Sequence, residues 1–186
     1  MNHISLRLFA IFGFIVIAMM SRFVPHPPNF TAINAIALFS VYAIGHLGLS
    51  LFTVGAAMLL CDLVIGMHSQ MLYVYFSLAL ITLTAHFSHL HLNRFRFRIP
   101  ISLAASSLIF FLIVNFGVWK TDGLYPQTMQ GLGTCYVAAL PFLGNQLAGD
   151  LLYGAILFNA FSLLEKSLPT IRIKRSNTFL GAHINA

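Results

Sequence analysis

Four long stretches of this chain contain no Asp, Glu, Lys or Arg, and each is rich in apolar residues. They run from Phe23 to Cys61, from Leu63 to Asn93, from Ile99 to Trp119 and from Gly123 to Gly149. An apolar helix needs only about 20 residues to cross a bilayer, so these stretches are long enough for membrane spans. With 59% hydrophobic and only 8% charged residues, the chain could not cover a soluble surface with charge. The sequence therefore predicts an integral membrane protein without a soluble domain.

The spans are predicted to be helices, because backbone amides in lipid must hydrogen bond within their own segment and the runs lack the alternation of barrel strands. We expect an all-α integral membrane bundle of about six transmembrane helices. The predicted spans are Leu6 to Met20, Thr31 to Gly45, Leu49 to Ile65, Met71 to Leu90, Pro100 to Trp119, and Gln146 to Leu164. A short surface helix, Gly133 to Phe142, is expected before the last span. Residues 1–168 are expected to form a single transmembrane domain, and residues 169–186 are expected to form a flexible basic cytoplasmic tail.

The first segment has one feature of a secretory signal, since Arg7 precedes an apolar run. Residues 18–22 lack a convincing small-x-small cleavage site, so we expect this helix to be retained.

The distribution of basic residues predicts the orientation. With an inside N-terminus and six spans, all of the ten Lys and Arg residues except Arg22 and Lys120 fall on the inner side. We therefore expect a multi-pass membrane protein with both termini cytoplasmic. The formal charge of +6 is explained by the tail and by an inner loop from Arg94 to Arg98, which would contact anionic headgroups; no nucleic-acid partner is expected.

The loop after the first span contains three prolines between Arg22 and Thr31. Proline fixes the backbone and removes a donor, so this loop is expected to form a rigid outer lip over the bundle. Thr31 or Asn29 could cap the helix that follows.

Polar residues from five separate segments are expected at the level of this lip. The candidate ligand-binding residues are Arg22, His26, Asn29, Asp62, His68, Asn115, Trp119, Tyr125 and Asp150. Asn115 and Trp119 are four residues apart and share a helix face, and Trp119 and Tyr125 could stack on a flat ligand. The sequence does not establish whether Asp62 and Asp150 share one pocket.

A carboxylate in hydrocarbon is costly unless it is paired, and Arg22 and Lys120 are the outer cations. Arg22 is the better partner, because its planar fork can serve one carboxylate and still donate elsewhere. Two interpretations stand: a structural staple between helix ends, or a ligand pocket that also uses the staple.

The two cysteines, Cys61 and Cys135, allow three interpretations. They could be buried small hydrophobic residues, or partners in a disulfide at the oxidising outer face. Cys61 could also supply a thiolate to a metal in a bound cofactor.

The other chemistry-bearing patterns are weak. His86, His89 and His91 cluster near the inner end of the fourth span, but they lack accompanying Cys or carboxylate ligands and are better explained as interfacial anchors. The sequence has no Walker loop, dinucleotide glycine motif, HExxH or Ser-His-Asp order, so an enzyme is not expected.

Several segments resemble a bacterial family of small uncharacterised membrane proteins that are described as transport proteins. The segments are residues 22–31 (RFVPHPPNFT), 60–66 (LCDLVIG), 115–119 (NFGVW), 125–126 (YP), 131–132 (GL), 135–142 (CYVAALPF) and 149–150 (GD). The resemblance extends from Arg22 to about Phe158, and the proline-rich loop is its most specific part.

That family is similar in size and span number to the S-components of energy-coupling-factor transporters, which are six-helix proteins that bind vitamins or metal ions from the outer side. Some solitary S-components for cobalamin ligate cobalt through a cysteine, so the resemblance makes cobalamin a possible substrate and Cys61 a possible ligand. An energising membrane module is a possible partner. The Ala-x-x-x-Ala pattern with which S-components meet that module is not present here, where Ala10 and Gly13 are three apart.

We therefore expect an inner-membrane transport protein that binds a small solute, vitamin-like or metal-containing, from the periplasmic side and mediates its uptake. The alternative is a structural or assembly subunit of a membrane complex, because small residues such as Ala104 and Gly55 permit close helix approach. A membrane enzyme that depends on Cys61 is the third hypothesis.

Overall fold

The structure, a computed structural model, describes residues 3–91 and 98–171. In these ranges every regular element is helical. The helices are α1 (His3–Met19), α2 (Ile33–Ile44), α3 (Leu47–Ile65), α4 (Met71–His91), α5 (Ile99–Thr121) and α6 (Met129–Ser167), with 3-10 turns at Met20–Arg22 and Pro169–Ile171. The predicted all-α bundle is confirmed. Arg94, Arg96 and the predicted tail from residue 172 onward lie outside the described residues, as do the side chains of His89 and His91.

The central helix of the bundle is α2. Ten of its 12 residues are buried, and it contacts each of the other five helices. A helix that is apolar around its circumference has to be buried on all sides, and here the Phe39 ring packs edge-on against Phe158 and Phe161. With 12 residues α2 is about 18 Å long, whereas the hydrocarbon core of a bilayer is about 30 Å thick. The second predicted span is therefore a helix, but one too short to cross a membrane.

The other five helices are long and apolar enough to cross a membrane. Their outward faces carry large apolar side chains that a soluble protein would bury, among them Phe9, Ile17, Phe52 and Leu72. This surface is consistent with a multi-pass membrane protein.

The bundle has two opposite ends, at which the ends of the helices lie close together. At the end that contains Arg7, polar contacts join the helices. Arg7 pairs with Glu165 at 2.6 Å, and it donates hydrogen bonds to the carbonyls of Ala43 and Ile171. The chain after α6 thus does not leave the bundle at residue 168: the turn Pro169–Ile171 packs back on it, with Ile171 buried. We call the opposite end, which contains the loop 23–32, the loop end.

The predicted surface helix Gly133–Phe142 is not a separate element. It forms the first part of α6, which runs without a break over 39 residues from Met129 to Ser167. Thr128 caps this long helix by accepting a hydrogen bond from the Gly131 amide, which satisfies one of the free donors of the first turn.

Contacts between α5 and α6 show that α6 does not follow α5 along its whole length. The Tyr136 hydroxyl donates to the Leu112 carbonyl at 2.7 Å, and the Ser107 hydroxyl donates to Asp150 at 2.7 Å. In a straight helix Tyr136 and Asp150 would lie about 21 Å apart, whereas their partners on α5 are only about 8 Å apart. α6 therefore diverges from α5 between these contacts, in the region of Pro141, which lacks the amide for a helical hydrogen bond.

Candidate functional site

A cavity of about 440 Å³ lies at the loop end of the bundle. This volume falls within the range of small-molecule sites, about 300–1,000 Å³. The cavity is bordered by α3, α4, α5 and α6, while the loop 23–32 and the first turn of α2 complete its wall. The lining residues are Arg22, His26, Asn29, Thr31, Ile33, Met58, Ile65, His68, Gln70, Val74, Phe110, Val114, Gln146 and Asp150.

The short length of α2 leaves room for the cavity. The first turn of α2 lies at the level of Ser107, which is eight residues, or about 12 Å, from the start of α5. α5 continues past that level for 14 more residues, and Phe110 and Val114 on this part form one wall. The position that a full-length α2 would fill is therefore taken by the loop 23–32 and the cavity.

The loop 23–32 is fixed to the bundle at its C-terminal end and near its middle. The Ala32 amide donates to Ser21 Oγ at 3.1 Å, and Asn145 on α6 donates to the Pro28 carbonyl at 3.1 Å. Asn29 has a φ of 64°, a left-handed conformation that Asn tolerates better than most residues with a Cβ. These contacts favour the predicted lip, and they place His26 and Asn29 on the cavity wall.

Asp62 organises one side of the site. Its side chain is 0% exposed, and Arg22 Nη2 lies 3.4 Å from its Oδ1. The Tyr75 hydroxyl donates to its Oδ2 at 3.1 Å, and His68 Nε2 lies 4.0 Å from its Oδ1. Asp62 does not itself line the cavity, whereas Arg22 and His68 do. The pairing with Arg22 is the one expected from the sequence, and it orients that guanidinium at the cavity edge.

Asp150 organises the other side, where α6 meets α2 and α5. Its Oδ2 accepts hydrogen bonds from Asn34 Nδ2 at 2.8 Å and from Ser107 Oγ at 2.7 Å. The backbone amides of Asn34 and Ala35, in the first turn of α2, also face the carboxylate, although Oδ1 has no partner that meets strict hydrogen-bond geometry. Within the described residues no Lys, Arg or His lies within 4.0 Å of Asp150.

Asp150 therefore lies at the N-terminus of α2 although it belongs to a different helix, and it accepts a hydrogen bond there from the Asn34 side chain. α2 starts after Ala32 without a side-chain cap of its own, so neither Thr31 nor Asn29 has the capping role expected from the sequence. A carboxylate at a helix N-terminus is stabilised by the positive end of the helix dipole. The close approach this requires is possible because residue 149 is glycine: a Cβ there would lie 3.0 Å from the backbone nitrogen of Thr31.

The two aspartates thus lie on different sides of the same cavity. Asp150 is part of its wall, and Asp62 stands behind Arg22 and His68. Both the staple and the pocket interpretation keep support, because the same residues join the helices and border the space between them.

Three of the predicted site residues lie elsewhere, between the loop-end parts of α5 and α6. Asn115 donates to the Phe111 carbonyl, and Trp119 Nε1 donates to the Pro126 carbonyl at 2.9 Å. Tyr125 is partly buried in the segment between these helices and does not line the cavity. The shared face of Asn115 and Trp119 is directed to the α5–α6 contact, so their role in ligand binding stays a prediction.

Neither of the two cysteines lines the cavity. Cys61 and Cys135 are both buried and unpaired, so the disulfide allowed by the sequence does not form in this structure. Cys61 is 0% exposed and is not part of the cavity wall, although it adjoins Asp62. Among the described residues no group of three or more His, Cys, Asp and Glu side chains could hold a metal ion. Cobalt ligation by Cys61 stays a prediction.

Sequence reasoning missed several residues of the site. Met58, Val74, Phe110 and Val114 form the apolar walls, and Gln146 contributes an amide that donates to the Ser107 carbonyl at 3.3 Å. Gln146 carried a signal, because it precedes Asp150 by four residues and so shares its helix face. The apolar lining residues carried none, since they do not differ from the lipid-facing residues around them.

No curated protein and no solved structure matches this chain. A family model described as a family of unknown function, DUF6580, matches residues 2–171, which include all six helices and every residue that lines the cavity. The chain therefore belongs to the DUF6580 family.

Proposed function

We propose that this protein binds a small solute in the cavity at the loop end and mediates its uptake across the membrane. The observation that carries the proposal is the cavity itself: about 440 Å³, with apolar walls and a few polar side chains that converge on it from separate helices. This combination is typical of sites for small molecules.

The position of the cavity supports a transport role more than a catalytic one. It lies among the ends of membrane-length helices and is bordered by a short helix whose N-terminus meets a carboxylate. Transporters often place substrate sites where a helix stops within the membrane, because the free helix end supplies polar groups there. The similarity to S-components drawn from the sequence agrees with this role.

The orientation is part of the proposal. Among the described residues, the loop end carries Arg22 and Lys120, whereas Arg7, Arg98 and Lys166 lie toward the opposite end. The sequence-based topology assigns the other five Lys and Arg residues to that same side. By the positive-inside rule the cavity would face the periplasm of a bacterial inner membrane, with both termini in the cytoplasm. Solute would enter beneath the loop 23–32, and an energising module would supply the driving force if the protein works as S-components do.

The size of the cavity bears on the identity of the solute. The volume lies toward the lower end of the range for small-molecule sites, which favours a compact molecule over one as large as cobalamin. The buried position of Cys61 points the same way, because a bound cobalt would have to displace the packing around that thiol.

The proposal is tested by filling the cavity. Val114→Trp introduces a large ring into the wall, and Leu108→Trp introduces the same ring on an outward, half-exposed position of the same helix. Native mass spectrometry of the protein in mild detergent would record any co-purified small molecule, and uptake of that molecule would be measured in cells. We expect Val114→Trp to abolish both signals and Leu108→Trp to retain them.

The alternative of a structural subunit has one observation in its favour. Ala104 and Ala105 are exposed on α5, where a partner helix could approach closely. A stoichiometric protein partner that co-purifies, with no small molecule bound to the wild type and no effect of Val114→Trp, would establish this alternative instead.

A further inference from the structure

The proposed cavity offers hydrogen-bond donors and one cation at its accessible edge, and this composition limits the class of solute. Arg22, whose side chain is 17% exposed, and His68, whose side chain is 37% exposed, line it together with His26. The two carboxylates of the site are 0% exposed. A solute therefore meets the donors directly, while Asp62 lies behind the wall and Asp150 is a buried part of it.

The Arg22 guanidinium has N–H donors that remain available to a ligand. In the described part of the chain its guanidinium contacts the Met58 sulfur, which is a weak acceptor, and it pairs with one oxygen of Asp62 at 3.4 Å. A guanidinium has five N–H donors in a planar fork that matches a carboxylate. Because Asp62 already holds the side chain in place, little rotational freedom remains to be lost when a ligand binds.

The formal charges of the site set an upper limit on the charge of the solute. Arg22 contributes one positive charge, whereas Asp62 and Asp150 contribute one negative charge each. The N-terminus of α2 offsets Asp150 by roughly half a charge. The site therefore carries a net charge of roughly −0.5 before a solute enters. A carboxylate can be held there only by direct contact with Arg22, and a second negative charge, which would lack such a contact, would be repelled by the two buried carboxylates.

Most of the surface of the wall is apolar, although Asn29, Thr31, Gln70, Gln146 and Asp150 also contribute to it. Ile33, Met58, Val74, Phe110 and Val114 surround the space beyond the polar edge. This surface is suited to a hydrocarbon or aromatic body, which gains free energy by leaving water.

We propose that the solute is a small monocarboxylate with an apolar body, whose carboxylate binds Arg22 with help from His68 and His26. This inference rests on the proposed function. It excludes phosphate esters and other dianions as preferred ligands, and it gives Asp62 a positioning role, since this residue pairs with Arg22 at 3.4 Å and does not line the cavity.

The test uses compounds that share a carbon skeleton and differ in the head group. One series is 3-phenylpropanoate, 3-phenylpropanamide, phenylalanine and 2-phenylethylphosphonate, and a second is the corresponding set built on a 4-methylpentyl skeleton. Binding to the full-length protein in detergent would be measured by titration calorimetry, with empty micelles as the blank. In at least one series we expect the carboxylate to bind at least tenfold more tightly than the amide and the phosphonate.

Two variants assign the preference to the named residues. The double variant Arg22→Gln, Asp62→Asn removes the pair without leaving a buried charge, and it should reduce carboxylate affinity at least tenfold, to that of the amide. Asp150→Asn should raise the affinity of the phosphonate relative to the carboxylate. Equal affinities within both series, tighter binding of the phosphonate or the amino acid, or no binding of any compound would overturn the inference.

Failure of this inference is distinguishable from failure of the cavity proposal. A co-purified small molecule that is lost in Val114→Trp would keep the proposed function even if it proved to be a neutral compound or a cation. Absence of that molecule, with no binding in either series, would overturn both.

Discussion

Removal of Arg22 should destabilise the protein mainly through the charge that it leaves behind. Asp62 is fully buried, and the attraction between unit charges at 3.4 Å is about 5 kcal/mol at an effective dielectric constant of 20. Loss of one partner from a buried pair typically costs about 3–5 kcal/mol. Because Tyr75 and His68 still contact Asp62, we expect Arg22→Met to cost about 3 kcal/mol, near the lower limit of that range.

A second substitution should relieve the loss of stability caused by Arg22→Met. Asp62→Asn removes the buried charge, so the double variant Arg22→Met, Asp62→Asn should lose only about 1–2 kcal/mol. The single Asp62→Asn should lose a similar amount, which leaves a coupling of about 3 kcal/mol between the two sites. For a chain of this size a loss of 3 kcal/mol corresponds to a decrease in Tm of roughly 6–12 °C.

The assay is thermal unfolding, in one detergent, of the wild type, the two single variants and the double variant. Unfolding would be monitored by differential scanning fluorimetry and by circular dichroism. Lys120→Met serves as the control, because it removes a cation at the loop end that contacts the Trp119 ring rather than a carboxylate. If the losses of the two single variants simply add in the double variant, Arg22 and Asp62 do not form an energetically coupled pair and the account given of this side of the cavity is wrong.

Three further predictions concern α6 and the thiols. Gly149→Ala should lower stability by about 1–3 kcal/mol, because the new Cβ would press on the Thr31 backbone. Gly144→Ala on the same helix, where nothing lies within 4 Å, should be neutral or stabilising by up to about 1 kcal/mol; equal effects in thermal unfolding would refute the close approach. Asp150→Leu should cost about 2–4 kcal/mol, because it leaves the Asn34 amide and the first turn of α2 without an acceptor. Asp150→Asn should cost only about 1 kcal/mol, and chemical denaturation with equal midpoints for the two variants would argue against the role of Asp150 at the N-terminus of α2. Cys61 should not react with maleimide in the folded protein and should react after unfolding, and rapid labelling of the native state would show that this thiol is open to solutes.

The membrane helices could be predicted from the sequence because long apolar runs have only one stable structure in lipid. The partner of Asp62 could also be predicted, since Arg22 and Lys120 were the only cations expected on its side. The partners of Asp150 could not, because Asn34 and Ser107 are neutral residues more than 40 positions away, and nothing in their local sequence distinguishes them from other polar residues in spans.

The central position of α2 could not be predicted from the sequence either. Hydropathy describes α2 and the longer helices in the same way, because a protein interior and a lipid tail are equally apolar surroundings for a Leu or Ile side chain. The separation of Asn115 and Trp119 from the cavity has a similar origin. Residues on one helix face can be predicted to lie together, but the neighbour toward which that face turns depends on packing, here on the divergence of α6 near Pro141.

The short central helix has a consequence for how the protein is made. A segment of about 18 Å cannot bridge the hydrocarbon core, so α2 is not a span that the insertion machinery could release into lipid by itself. The N-terminus of α2 would also expose backbone amides to lipid. The carboxylate that faces these amides belongs to Asp150, which lies more than 100 residues later in the chain and is present only after synthesis of α6. We therefore expect α2 to remain packed against the helices made before α6, α4 and α5 among them, until α6 is in place. Completion of the six-helix bundle and closure of the cavity wall are then one event, which follows the synthesis of α6.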